Sequence, residues 1–154
     1  MQNTGNASQI ARVGTSRPDE TAILTRGVMR LFIDHGLSPL CEFKLANGRR
    51  ADVAGVDRQG ALWIAEVKSC RADFEGDRKW PDYLDYCDAF FFDVSPSFPQ
   101  DILPTSEGLI LADAFGAAIH RPAEPRKLAA ARRKATTLRF ARQSAMRAHW
   151  LESD

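Results

Sequence analysis

Apolar residues recur along this chain in two rhythms. From Asp19 to His35-Gly36, Ile23, Leu24, Met29, Leu31 and Phe32 follow a helical period. A first helix is predicted there, with Thr15 or Ser16 as a cap and Pro18 suited to its first turn. The period then falls to two. Leu40 to Leu45 alternates apolar and polar residues, Asn47-Gly48 is a hairpin turn signal, and Arg50 to Val56 returns as a second strand. After a turn at Asp57 to Gly60, Ala61 to Val67 is almost continuously apolar, the pattern of a central strand covered on both faces.

Beyond Lys68 the chain is polar and charged as far as Arg78, and Trp80 to Cys87 reads as a short helix opened by Pro81. Ala89 to Val94 is the next buried strand. A loop carrying Pro96, Pro99 and Pro104 leads to two strands, Gly108 to Asp113 and Ala117 to His120, around a turn at Ala114-Phe115-Gly116. From Lys127 to Trp150 there is no Gly or Pro and much Ala and Arg, so a long basic helix is expected at 127–150. This order predicts an α/β fold, a mixed sheet flanked by helices on both faces, with a long C-terminal helix. Residues 1–18 lack apolar periodicity and are expected to be a flexible leader outside a single domain at 19–154. A length of 154 residues with 44% hydrophobic content suits one core.

Charge changes this picture. The net charge of +1 conceals a reversal at His120: residues 1–120 hold 12 Lys/Arg against 17 Asp/Glu, a net of −5, and residues 121–154 hold 9 against 3, a net of +6. A basic tail on an acidic body suits a polyanionic partner. Cys41, Cys70 and Cys87 are odd in number and share no metal-ligand spacing, which argues against a disulfide framework or a zinc site. No stretch approaches the ~18 apolar residues needed to span a bilayer, so no membrane partner is expected and a cytoplasmic location is.

The informative spacing is Asp52, then Glu66-Val67-Lys68. Asp52 lies on one strand of a hairpin beside Glu66 on its neighbour, and residues two apart on a strand share a face, so Glu66 and Lys68 point together. Two carboxylates converging with the Val67 carbonyl make an all-oxygen site suited to Mg²⁺, which Mn²⁺ can replace. Such an ion activates water and neutralises charge on a phosphodiester, and Lys68 can set its ammonium against the water or the scissile phosphate. Taken alone, a Glu-x-Lys pair at a strand edge is usually a solvated ion pair of little worth. On an apolar strand, with Asp52 beside it, the cost of burying charge needs an offset that a metal site provides.

This arrangement resembles the PD-(D/E)xK nuclease superfamily over roughly residues 19 to 94. The resemblance implies a restriction-endonuclease-like αβββαβ core with the Asp and the Glu-x-Lys on the second and third strands. Ala51 stands where the superfamily's name has Pro. A helix-borne acid joins the metal site in some branches, including archaeal Holliday-junction resolvases, which implies a ligand role for Glu20. A closer resemblance is to the bacterial MmcB-like DNA repair family. It is carried by Arg49-Arg50-Ala51-Asp52-Val53, Trp63 to Ser69, Asp77 to Asp88 with its Lys79-Trp80-Pro81-Asp82-Tyr83 block, Gly108-Leu109-Ile110 and Ala131 to Arg142. Membership would imply a nuclease-like role in DNA damage repair.

Other residues extend this expectation to nucleic acid. Arg78, Lys79, Trp80 and Tyr83, with Tyr86, follow the site and combine phosphate-binding with base-stacking side chains, although Trp80 and Tyr83 suit core packing equally. Arg132, Arg139 and Arg142, with Arg133 and Lys134, could form a basic stripe on the last helix or a merely solvated face. Asp73, Glu75 and Asp77 read as a charged loop sooner than as a second metal site. His35, His120 and His149 are scattered and support no histidine chemistry.

The leading expectation is a Mg²⁺-dependent deoxyribonuclease, an endonuclease, with Asp52, Glu66, Val67 and Glu20 around the metal and Lys68 stabilising the transition state. The rival is a catalytically silent DNA-binding or adaptor module that serves other repair proteins. RNA as the substrate is compatible with the same phosphodiester chemistry. Pairing as a homodimer would suit an enzyme that cuts both strands.

Overall fold

The computed structural model describes residues 17–153. The expected leader lies outside the described residues apart from Arg17 and Pro18, which open the first helix. Helix α1 (Arg17–Asp34) is followed by strands β1 (Ser38–Lys44), β2 (Arg50–Val56) and β3 (Leu62–Val67). A short helix α2 (Arg71–Gly76) and a 3₁₀ segment (Trp80–Tyr86) lead to β4 (Ala89–Val94). Strands β5 (Gly108–Ala112) and β6 (Ala117–Arg121) and the long helix α3 (Ala130–Glu152) complete the chain.

The six strands form one mixed sheet in sequence order. β1, β2 and β3 are antiparallel neighbours, β3, β4 and β5 run parallel, and β6 returns antiparallel to β5. The leading elements thus follow the αβββαβ order of the restriction-endonuclease-like fold, with α2 and the 3₁₀ segment in the place of the second helix.

Both faces are covered, which explains the run of apolar residues in β3 and β4. On one face Val28, Leu31 and Phe32 of α1 pack on Val53, Ala65, Phe91 and Ile110. On the other, Ile64, Phe90 and Phe92 are covered by Tyr83 and by Phe140 of α3. The β1–β2 turn uses Gly48 at φ 85°, a conformation that a side chain would strain.

Three departures from the sequence pattern have physical causes. In β1, Leu40 and Phe43 reach the same core although an odd spacing separates them, because Glu42 sits at φ 53° and turns the strand over. Helix α2 carries no buried residue and so no apolar period to announce it. Helix α3 starts at Ala130, not at 127: the Arg126 N–H is bonded to the Asp88 carbonyl at 2.9 Å, and its guanidinium grips the buried Glu107 carboxylate at 2.7 and 2.9 Å. These bonds hold the approach to α3 out of helical geometry.

Candidate active site

The β2–β3 ladder runs from Val56 opposite Leu62 to Val53 opposite Ala65, and there it ends. Side chains then bridge the strands. The Asp52 N–H donates to Glu66 Oε1 at 2.9 Å, and the Val67 N–H donates to Asp52 Oδ2 at 2.8 Å. Each carboxyl is thus fixed by backbone of the opposite strand.

Burial is the main force on this pair. It raises the pKa of Asp52 against the pull of the Val67 N–H and Lys68. It pushes Glu66 up to about 9, with the neighbouring Asp52 charge adding to the shift. Without a cation, Glu66 therefore holds a proton at neutral pH.

Lys68, just past β3, is held at both ends. Its N–H donates to the Asp93 carbonyl at 2.9 Å, and its buried ammonium is 2.7 Å from Asp77 Oδ2. Burial works against the Asp77 carboxylate, but bonds from Lys68 and from the Lys79 N–H outweigh it and hold its pKa below the ordinary value. The Asp73 carboxylate accepts the Ser69 N–H at 3.0 Å and fixes the turn out of the site.

Asp52, Glu66, Val67 and Lys68 line one side of a cleft of about 550 Å³. Ser69, Ala72 and Asp73 close the side of α2, and Thr21 closes that of α1. Glu20 precedes Thr21 in the first turn of α1, half-buried, and is not part of this lining. Among the described residues no three His, Cys, Asp or Glu side chains gather as a metal cluster. Asp52 and Glu66 bring two carboxyls to the cleft, with Val67 between Glu66 and Lys68 in its lining.

Two further acids, neither given a place in this site by the sequence, stand beside it. Asp77, as the partner of Lys68, has no sequence signal beyond its place in a charged loop. Asp93 does have one: it is the single charge in the strand Ala-Phe-Phe-Phe-Asp-Val. It lies opposite Val67, fully buried, with no hydrogen-bond partner for either carboxyl oxygen among the described residues. Burial, and then the charge of Asp52, raise its pKa well above the ordinary value.

A profile of the DNA repair protein MmcB-like family matches residues 9–154. The chain belongs to this family. A solved structure, that of the SPO1766 protein of unknown function from Silicibacter pomeroyi, superposes with a TM-score of 0.81. It shares 41% identity over 91% of this chain and 94% of its own. A repair endonuclease from Pyrococcus abyssi matches at a TM-score of 0.36 and 20% identity, over 51% of this chain and 38% of that one. No curated protein matches the chain in sequence.

The basic and aromatic residues of this MmcB-like chain divide sharply. Arg78 and Lys79 are exposed beside the Lys68–Asp77 pair. Trp80 stacks on Phe90 at 5.8 Å and meets Phe92 edge-on at 5.2 Å, and Tyr83 is buried with its hydroxyl donating to the Arg50 carbonyl. Both rings pack against the core, with Tyr83 buried and Trp80 half-exposed. On α3, Arg133 is committed to Asp88 at 2.6 and 2.7 Å and to the Gly60 carbonyl, and Arg132 lies over the Tyr86 ring at 4.6 Å. Lys134, Arg139 and Arg142 are exposed. No helix among the described residues is long and apolar enough to cross a membrane.

Proposed function

We propose that this MmcB-like chain is a Mg²⁺-dependent deoxyribonuclease, an endonuclease acting in DNA damage repair. The observation that carries this reading is the convergence of Asp52 and Glu66 beside Lys68 in one cleft. Glu66 is driven to hold a proton beside the Asp52 carboxyl, and a divalent cation can take the place of that proton. Mg²⁺ takes one or two protein carboxylates and completes its shell with water and substrate phosphate, which suits this donor set. Asp52, Glu66 and the Val67 carbonyl would hold it, with Glu20 as an auxiliary ligand, and Mn²⁺ would substitute.

When bound, the ion supplies activation of a water and neutralisation of phosphodiester charge. The chain's own residues do the rest. The cross-strand bonds of Asp52 and Glu66 pre-orient their carboxyls at no cost during the reaction. Lys68 presents a fixed ammonium to the phosphate that loses its leaving oxygen, and Asp77 holds that ammonium in place. Exposed Arg78, Lys79, Lys134, Arg139 and Arg142 would grip the DNA backbone without reading its sequence.

A second reading, a catalytically silent DNA-binding or adaptor module that pairs with other repair proteins, draws on the Lys68–Asp77 bond, which already neutralises the ammonium. Labelled single-stranded, duplex, flap and branched DNA, with an RNA control, incubated with Mg²⁺ or Mn²⁺ against EDTA, separates the two. Metal-dependent cutting that Asp52→Asn abolishes supports the nuclease; binding with no cutting under either metal supports the silent module. Light scattering in the same buffers decides between monomer and homodimer.

A further inference from the structure

Phe115 stands alone at the tip of the β5–β6 hairpin. It is 99% exposed, the most exposed large apolar residue among those described. Its backbone is nonetheless firmly held. The Asp113 N–H donates to the Gly116 carbonyl at 2.9 Å, and Asp113 Oδ1 accepts the N–H groups of Phe115 at 2.8 Å and Gly116 at 3.1 Å. A rigid turn therefore displays a phenyl ring for which the fold has no use.

The base of this hairpin is part of the wall behind the cleft. Ala112, Leu24 and Val67 form one buried cluster with Ala117 against it, and Val67 lines the site. Because β3, β4 and β5 run parallel, Lys68 and the hairpin leave the sheet at the same end. Two strand spacings put β5 about 10 Å from β3, so the tip stands on the order of 10–20 Å from Lys68. Helix α1 presses on the hairpin base at Gly27, where a Cβ would stand 3.1 Å from that of Ala112. Hence the base of the hairpin is packed closely against α1.

Chemistry narrows the occupant. Between Gly108 and Ile119 the only charged residue is Asp113, whose Oδ1 is taken up by the turn. The tip offers nothing to a phosphate, only an apolar face that any base can stack on. A protein partner would need a wider apolar patch than one ring between Ala114 and Gly116.

We propose that Phe115 stacks on an unpaired base close to the scissile phosphate, and so directs this chain to DNA with an open base, at a single strand, flap or junction, over continuous duplex. This rests on the DNA nuclease reading above. A base inside a duplex is stacked on both sides and has no face to give; a splayed one has.

The test is fluorescence anisotropy of labelled single-stranded, flap, junction and fully paired DNA in Ca²⁺, with the parent, Phe115→Ala and Phe115→Trp. Phe115→Ala is expected to keep the parent's melting temperature and to bind open-base DNA about 5- to 100-fold more weakly. Its affinity for paired duplex changes by no more than about twofold, the ordinary effect of a surface substitution. Phe115→Trp retains or tightens the open-base binding. If the parent binds and Phe115→Ala matches it on every DNA, the stacking role is overturned and the nuclease reading stands. If the parent binds no DNA, both fall.

Discussion

Asp52 and Glu66 hold each other through main chain: the Asp52 N–H reaches Glu66 Oε1 at 2.9 Å, while Asp52 itself takes the N–H of Val67, the next residue after Glu66. The bonds stand where the β2–β3 ladder gives out, so two side chains replace the missing rungs. The backbone stays satisfied and the carboxyls are forced together. Their closeness makes the pair costly without a cation.

That cost has a sign in pH. Glu66 has a folded pKa near 9 against an ordinary 4.5, so between these values the native state holds a proton that the unfolded state has released. This stabilisation is full below the unfolded pKa and is lost as pH rises through the folded one. Glu66→Gln is expected to flatten the fall of stability between pH 5 and pH 9 and to raise the metal-free stability at pH 8 by about 1–3 kcal/mol. Urea unfolding at several pH values checks this. The same substitution should remove most of the rise in melting temperature that Mg²⁺ or Mn²⁺ gives the parent.

Lys68 and Asp77 form a largely buried pair, with side-chain exposures of 6% and 19%. Asp77→Asn leaves an ammonium without its counter-charge and should cost about 2–4 kcal/mol at pH 7. The pKa of Asp77 is lowered in the fold, so its contribution is present above pH 3.8 and fades as pH falls through the folded value. The difference between parent and variant should therefore shrink toward pH 2 in the same urea series.

Much of this was legible in the sequence. The limits of β2 and β4 follow from turn signals and apolar runs, and the Asp52, Glu66 and Lys68 constellation follows from hairpin register and period-two geometry. What was not legible depends on contacts distant along the chain. Nothing in a charged loop says that Asp77 meets Lys68, or that Trp80 and Tyr83 pack against Phe90. Asp93 was visible as a misplaced charge in a Phe-rich strand, but its isolation is a property of the folded core. Within α3, Arg133 and Arg139 look equivalent on paper, yet one is committed to Asp88 and the other is exposed.

That division on α3 separates stability from binding. Arg133→Ala breaks the clamp on Asp88 and Gly60 and should cost about 1–3 kcal/mol while leaving DNA affinity near the parent's. Arg139→Ala with Arg142→Ala should leave the melting temperature unchanged and lessen the salt dependence of DNA binding, with a smaller slope by about 1 to 2 in log–log form. Thermal melts and anisotropy at several salt concentrations read both.

Helix α3 also shields an open sheet edge. Gln143 accepts the Lys44 N–H at 3.0 Å and donates to the Lys44 carbonyl at 2.7 Å, as a neighbouring strand would. Arg147 donates to the carbonyls of Cys41 and Glu42. Gln143→Ala with Arg147→Ala should expose β1 and promote self-association, seen as a rise in mass by light scattering with increasing protein concentration.

The most direct measurement is single-turnover cleavage of an open-base DNA by the parent and Lys68→Gln, with Mn²⁺ and DNA binding measured on the same samples. The prediction is unchanged metal and DNA binding with cleavage slowed by about 100-fold or more, the loss expected when a fixed charge is taken from a developing one. Equal cleavage rates in parent and variant, or no metal-dependent cleavage by the parent, would contradict it.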